Sequence, residues 1–146
     1  AGCLLLEVQQ NSNTTYRIYD WDRAGADGKP RPLHLKEALQ VIRWNAADNP
    51  KVQPRELGAC GGNRFWEVLR CPYFRLERIL LSERMPPGGD GSSFEILFVA
   101  SGCVLVESGG AAETLVPGSS CLVPAALKNC LLKPLEGPAE VLRVTA

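Results

Sequence analysis

Between residues 65 and 144, short apolar runs are cut apart by glycine and proline at nearly even intervals, and this limits the possible folds more than any other feature of the chain. The runs are residues 65–69, 74–81, 94–99, 103–107, 113–115, 120–123, 130–133 and 139–144. Each is too short for a typical helix and rich in Val, Leu, Ile and Phe, as half-buried strands are. Many short strands with Gly/Pro turns predict an all-β sandwich, jelly roll or barrel. Ser101-Gly102, between two apolar runs, reads as a hairpin turn, and residues 88–91 (G-G-D-G) read as a flexible hairpin connection. No helix follows the latter, so it is not a phosphate loop.

The order of the punctuation is more specific. A strand, then G-x-V-x-V from Gly102, then P-G-S-x-x-x-V-P-A from Pro117 resembles a cupin-type double-stranded β-helix. In metal-binding cupins, histidines stand where the two half-motifs meet. This segment has Ser92, Phe94 and Asn129 near those places, so the barrel is expected to be structural and metal-free.

The whole-chain counts narrow the function classes. With 16 basic and 16 acidic residues in 146, there is no electrostatic reason to expect nucleic acid or an anionic membrane as a partner. The longest apolar stretch, residues 96–106, is broken by Ser101 and Gly102 and falls well short of the roughly 20 residues a spanning helix needs. The six cysteines form no C-x-x-C pair and mostly adjoin apolar residues, which suits reduced core thiols in a cytoplasmic protein. His34 is the single histidine, and catalytic zinc or iron sites usually draw on two or three imidazoles. A self-contained metal site is therefore not expected.

Chemistry concentrates ahead of the β region. Residues 7–23 (E-V-Q-Q-N-S-N-T-T-Y-R-I-Y-D-W-D-R) combine Glu7, Arg17, Arg23, Asp20, Asp22 and three aromatics, an order suited to a strand that leaves the core and lines a polar cavity. Residues 3–8 read as a strand followed by turn chemistry at Asn11, Ser12 and Asn13. With no initiator Met or signal pattern before it, and no partner strand, the chain is expected to be the C-terminal part of a longer polypeptide. Residues 24–32 form a Gly/Pro loop. Leu35, Ala38, Leu39 and Ile42 then recur at helical spacing and predict a short amphipathic helix over 34–43. Asp48-Asn49-Pro50 opens a linker, and residues 60–63 form a turn.

L-L-L-E-V-Q-Q-N-S-N-T-T-Y-R-I-Y-D-W-D-R from Leu4, followed by D-G-K-P-R-P-L-H-L-K-E-A-L from Asp27, closely resembles the type I mannose-6-phosphate isomerases, particularly the short bacterial form. The likeness is near-continuous from about Ala1 to Ile42. Asn11 and Asn13 depart from it, standing where Ser and Asp are usual. Beyond Pro50 the likeness is architectural, because that family ends in a second cupin-like barrel. The resemblance implies that residues 1–50 are the C-terminal strands and helix of a first, catalytic cupin, and that 51–146 are the second, metal-free barrel.

It also implies interconversion of mannose 6-phosphate and fructose 6-phosphate. Zinc would be the cofactor, held by a Gln, a Glu and two His upstream of Ala1, with the missing N-terminal cupin part as partner and no metal ligand in this segment. Arg17 aligns with the family's active-site arginine, and Glu7 with an acidic residue lining the same pocket. Arg23 is a weaker candidate for the 6-phosphate, and Lys29 weaker again. An enediolate needs a cation or a metal nearby; a guanidinium suits that task or phosphate anchoring, and a carboxylate can hydrogen-bond sugar hydroxyls or relay a proton. Alone, the segment is expected to be inactive.

Each role has a plainer rival. Glu7 and Arg17 would also suit an ion pair closing a strand end. Tyr16, Tyr19 and Trp21 suit strand-face packing better than sugar stacking, Asp20 and Asp22 suit capping or turning the chain, and His34 suits capping or packing rather than ligation. The alternative function is a non-catalytic sugar-phosphate-binding or regulatory cupin module. A further alternative is a scaffold acting through an exposed strand edge.

Overall fold

The computed structural model describes residues 5–44, 51–88 and 91–146. The chain forms two compact units: Glu7–Lys51, and Ala1–Leu6 together with Val52–Ala146.

The larger unit is built from β1 (Arg55–Cys60), β2 (Asn63–Arg70), β3 (Arg75–Leu81), β4 (Glu95–Ser101), β5 (Val104–Ser108), β6 (Ala111–Leu115), β7 (Ser120–Val123), β8 (Cys130–Pro134) and β9 (Ala139–Thr145). A six-stranded sheet runs β1-β2-β3-β9-β4-β7, and a three-stranded sheet runs β6-β5-β8; every pairing is antiparallel. Side chains alternate faces along a strand. Ile79 and Leu81, Leu97 and Val99, and Ala139 and Val141 therefore enter one interior, where they meet Val104, Leu115, Cys130 and Leu132. The mainly β cupin jelly roll expected from the punctuation is the fold observed.

Two connections differ from the sequence expectation. Ser101-Gly102 joins β4 to β5, which lie in different sheets, so it is a corner and not a hairpin turn. Gly102 has φ +73°, and a Cβ there would lie 2.8 Å from the Cα of Ala139, so the corner is tight against β9. Residues 88–91 join β3 to β4, and β9 lies between those strands, so this too is a crossing rather than a hairpin. Gly89 and Asp90 lie outside the described residues. Reciprocal bonds, Met85 N to Leu132 O at 3.0 Å and Leu132 N to Met85 O at 2.7 Å, stitch the crossing to the three-stranded sheet. Turn residues show where a chain bends, not which strand it meets next.

β1 was not anticipated. Its sequence, R-E-L-G-A-C, has no alternating apolar face, and all six residues are exposed. It exists because β2 supplies hydrogen-bond partners, with a register shift between Glu56 and Gly58. Buried Asn63 locks the β1–β2 turn to the end of β3: its Oδ1 accepts the amides of Ser82 and Glu83, each at 2.8 Å.

At one end of the barrel the apolar interior gives way to a row of alternating charges across five strands. Arg55 bonds Glu67 at 2.9 Å, and Arg75 lies 3.2 Å from Glu67 and 2.5 Å from Glu77. Arg143 then bonds Glu77 Oε2 through Nε at 2.8 Å and lies 3.7 Å from Glu95. Arg143 Nη1 also donates to the carbonyl of Pro87. Glu77 and Arg143 are 2% and 8% exposed, so the inner part of the row lies in the interior, while Arg55 at its outer end is exposed. On the outward face, Trp66 lies between the guanidinium groups of Arg64 and Arg78, at 5.0 and 4.9 Å.

The five described cysteines are free thiols. Burial pushes the thiols of Cys121 and Cys130 up, which keeps them protonated and unreactive. Among the described residues, no helix is long and apolar enough to cross a membrane.

In the smaller unit, α1 (Leu35–Val41) buries Ala38 and leaves Leu35 and Leu39 about half exposed. It ends at Ile42, whose ψ of 126° is extended, so it is shorter than the 34–43 expected. Residues 5–8 lie outside any strand; Cys3 and Leu4, like the linker residues 48–50, fall outside the described residues.

Leu97 is 1% exposed, whereas Leu122, beside it on the paired strand β7, is 58% exposed. Leu97→Ala should therefore lower unfolding free energy by about 2–5 kcal/mol. Leu122→Ala should change it by less than about 0.5 kcal/mol. Urea titration followed by tryptophan fluorescence measures both.

Candidate functional site

The local structure of the unit Glu7–Lys51 is organised by Asp20. It is 8% exposed and is the buried charged residue of this segment. Arg31 grips it with two hydrogen bonds, Nε to Oδ2 at 2.7 Å and Nη2 to Oδ1, while Arg17 Nε stands 3.6 Å from Oδ1. The Arg31 hydrogen bonds hold the Asp20 carboxyl below its ordinary value of 3.8, and the charges of Arg31, Arg17 and Arg23 act the same way. A carboxylate so stabilised makes a poor general base. Asp20 acts as a clamp.

The intervening chain explains how Arg31 returns to Asp20. Arg23 N donates to Asp20 O at 3.0 Å, closing a turn whose central residues, Trp21 and Asp22, have φ of +49° and +53°. Two consecutive non-glycine residues in the left-handed region store strain on the order of 1–3 kcal/mol each. Trp21 is braced by Tyr19, edge-on at 5.3 Å, and by the guanidinium of Arg23 at 5.6 Å from its ring. Beyond the turn, Ala24 pairs with Pro30, and Gly25 N bonds Lys29 O at 2.7 Å, so the 24–32 loop folds back on itself.

Arg17 is fixed from several sides. His34 and Arg17 exchange bonds: His34 N donates to Arg17 O at 2.7 Å, and Arg17 N donates to His34 Nδ1 at 3.1 Å. Arg17 Nη1 donates to the Pro32 carbonyl at 3.1 Å. The side chain is only 20% exposed, and among the described residues Nη1 is the guanidinium nitrogen that donates a hydrogen bond. The result is a largely buried guanidinium held by the Pro32 carbonyl and the Asp20 carboxylate, on a backbone pinned by His34, with N–H donors to spare. His34 sits at the helix N-cap position without a side-chain capping bond, its Nδ1 being occupied by Arg17.

The other candidates stand apart from this cluster. Glu7 is exposed and makes no ion pair with Arg17, so the strand-closing pair weighed as a plainer alternative does not form among the described residues. Arg23 is exposed and lies over Trp21. Tyr16, Tyr19 and Trp21 are 43%, 60% and 69% exposed, so they are not packed on a strand face. Sequence reasoning missed Asp20 as the hub and Arg31 as its partner. The only signal was a carboxylate placed between arginines on either side of a Gly/Pro turn, and spacing alone does not reveal which pair closes.

Nδ1 of the single histidine is taken by a backbone amide, and no group of three His, Cys, Asp or Glu side chains gathers among the described residues.

Two antiparallel sheets closed over one apolar interior make the larger unit a cupin-type barrel. No protein-family model matches the chain. It is 63% identical over 41 residues to the mannose-6-phosphate isomerase ManA of Bacillus subtilis (strain 168), and 39% identical over 83 residues to the probable mannose-6-phosphate isomerase GmuF of the same organism. These segments cover 28% and 57% of this chain, but only 13% and 26% of the two relatives. The crystal structure of a mannose 6-phosphate isomerase from Bacillus subtilis superposes on 94% of this chain and 42% of that one, with a TM-score of 0.67 and 23% identity, which shows a shared fold. Over these stretches the chain is similar to mannose-6-phosphate isomerases, and it spans well under half the length of these relatives.

The Asp20–Arg31 clamp has a pH signature. Because the folded carboxyl titrates below 3.8, its stabilisation is complete above that value and is lost as pH falls below it toward the folded pKa. Asp20→Asn should flatten the acid limb of the stability curve below about pH 4. Two-dimensional NMR of the Arg17 and His34 amides through an acid titration reads it; an unchanged acid limb in Asp20→Asn would disprove the clamp.

Proposed function

We propose that this chain is part of an enzyme that interconverts mannose 6-phosphate and fructose 6-phosphate by proton transfer through an enediolate, and that it works in a cytoplasmic setting with the preceding cupin part as its partner. The observation that carries this reading is Arg17: a largely buried guanidinium held by Asp20 and Pro32, on a backbone pinned by His34, that keeps N–H donors free of hydrogen bonds to the described residues. It lies in a segment whose residue order matches the isomerases. Family likeness and spare donor point to the same residue.

In this reading the reaction moves a proton between C1 and C2, and negative charge develops on the two oxygens. Arg17 offers fixed positive charge where that charge develops, which is worth more when the group needs no reorganisation. Glu7, exposed and unpaired among the described residues, is available to hydrogen-bond sugar hydroxyls or relay the proton. Arg23 is available to the 6-phosphate. Asp20 is a positioning residue that holds Arg17 through charge. Zinc belongs to the family's chemistry, but the groups described above do not form a site for it, and no step is assigned to it here.

The need for a partner is supported by apolar exposure in the unit Glu7–Lys51. Ile18, Leu33, Leu35, Leu39 and Val41 are each about half exposed, apolar surface that a partner would cover. The preceding cupin part is the occupant this reading requires. Without it, the chain is expected to show no turnover.

In the longer polypeptide, Arg17→Ala should lower kcat on the order of 100-fold or more with little change in Tm. Asp20→Asn should lower kcat by a smaller factor, and KM should move less than kcat in both. Coupled-assay kinetics with mannose 6-phosphate measures this, and an Arg17→Ala enzyme with unchanged kcat/KM would refute the assignment. Isomerase turnover by the 146-residue chain alone would instead overturn the requirement for a preceding part.

A further inference from the structure

The row of buried charges in the barrel ends in a cleft that the isomerase reading does not use. The cleft holds about 210 Å³ and is lined by Arg75, Glu77, Arg143, Ser93, Phe94 and Thr145 among others. A second cleft of about 240 Å³ shares Gly88 and Ser93 with it and adds Glu95 and Lys128. One wall is fixed by the barrel itself. Arg143 Nη1 holds the Pro87 carbonyl, and a Cβ on Gly88 would come within 2.5 Å of that same Nη1. With φ at +96°, glycine alone passes there without strain.

Burying Glu77 and Arg143 is costly, and an apolar set of similar volume would hold a barrel end at least as well. Their presence beside a cleft calls for a use. The charges in the row alternate and balance: Arg55, Arg75 and Arg143 against Glu67, Glu77 and Glu95. A balanced row has no net field to draw in an anion, and an incoming phosphate would have to break the Arg143–Glu77 bonds. A hydroxyl group fits without breaking them, because it donates to a carboxylate and accepts from a neighbouring guanidinium at once. Phe94, 42% exposed, adds an apolar ring face at the rim, where the C–H face of a sugar ring can lie. The volume is below the roughly 300–1,000 Å³ of pockets for drug-sized ligands, so the occupant is small.

We propose that this barrel-end cleft is a binding site for an uncharged polyol of monosaccharide size, recognised by Arg75, Glu77, Arg143 and Thr145 with Phe94 as the apolar wall. It lies wholly within the barrel unit and does not depend on the role given to Arg17.

The test is an NMR titration of the 146-residue chain with D-mannose and D-mannitol, each carried into tens of millimolar, with inorganic phosphate in a parallel series. The expected result is saturable shifts at the amides of Arg75, Phe94, Arg143 and Thr145 with at least one of the two polyols, at a Kd on the order of 1 mM, and none with phosphate. Phe94→Ala, an exposed position, should weaken binding roughly fivefold without altering Tm. Absence of saturable shifts with both polyols would overturn the proposal. So would shifts produced by phosphate alone, shifts centred on Arg17 and Asp20, or undiminished binding by Phe94→Ala.

Discussion

Much of the barrel depends on one buried pair, Glu77 on β3 and Arg143 on β9. The two residues face each other directly in the β3–β9 register, and β9 is also hydrogen-bonded to β4. Strand register is otherwise held by which side chains face inward, and a one-residue slip turns every side chain to the opposite face. Here a slip of β9 would also turn Arg143 away and leave the buried Glu77 carboxylate without that partner. Breaking such a pair by removing one partner costs on the order of 3–5 kcal/mol, several times what a surface ion pair contributes. The pair therefore adds specificity to a register that the apolar alternation already favours. It also anchors the crossing from β3 to β4 through the Pro87 carbonyl.

The unit Glu7–Lys51 uses the same device at smaller scale. Asp20 gathers Arg31 and Arg17, and the cost of two left-handed residues at Trp21 and Asp22 is offset by that clamp and by the ring contacts of Trp21. What results is an arginine whose direction is set before any ligand arrives. Pre-set charge is the form of catalytic electrostatics that requires least reorganisation. In both units, then, arginine–carboxylate geometry does the positioning. In the barrel the charges cancel within the row, whereas at Arg17 N–H donors are left over.

Legibility differed sharply between fold and site. Eight of the strands could be read from alternation and from glycine and proline, because a half-buried strand must repeat every second residue. β1 could not, since an edge strand exposed on both faces carries no such repeat. Arg17 stood out because its segment has an unusual residue order. Asp20 was legible as a polar residue near a turn, and its role as a clamp was not, because that depends on a loop returning Arg31 to within 2.7 Å. In the sequence, Glu77, Glu95 and Arg143 are simply charged members of apolar runs, with nothing local to mark them as a buried set.

The amino-acid order by itself determined the class of fold, the separation of a chemistry-rich segment from a β region, and the identity of the arginine most worth following. Those features are local: periodicity, turn residues and motif order act over a few neighbours. Only the tertiary structure decided that Ser101-Gly102 and Gly88 sit in passages between sheets and across β9, that Asp20 clamps two arginines, and that six charges from five strands line up at one end of the barrel. Such facts arise between residues far apart in the chain, where pairing is settled by burial and by the need to satisfy every buried charge and backbone group at once.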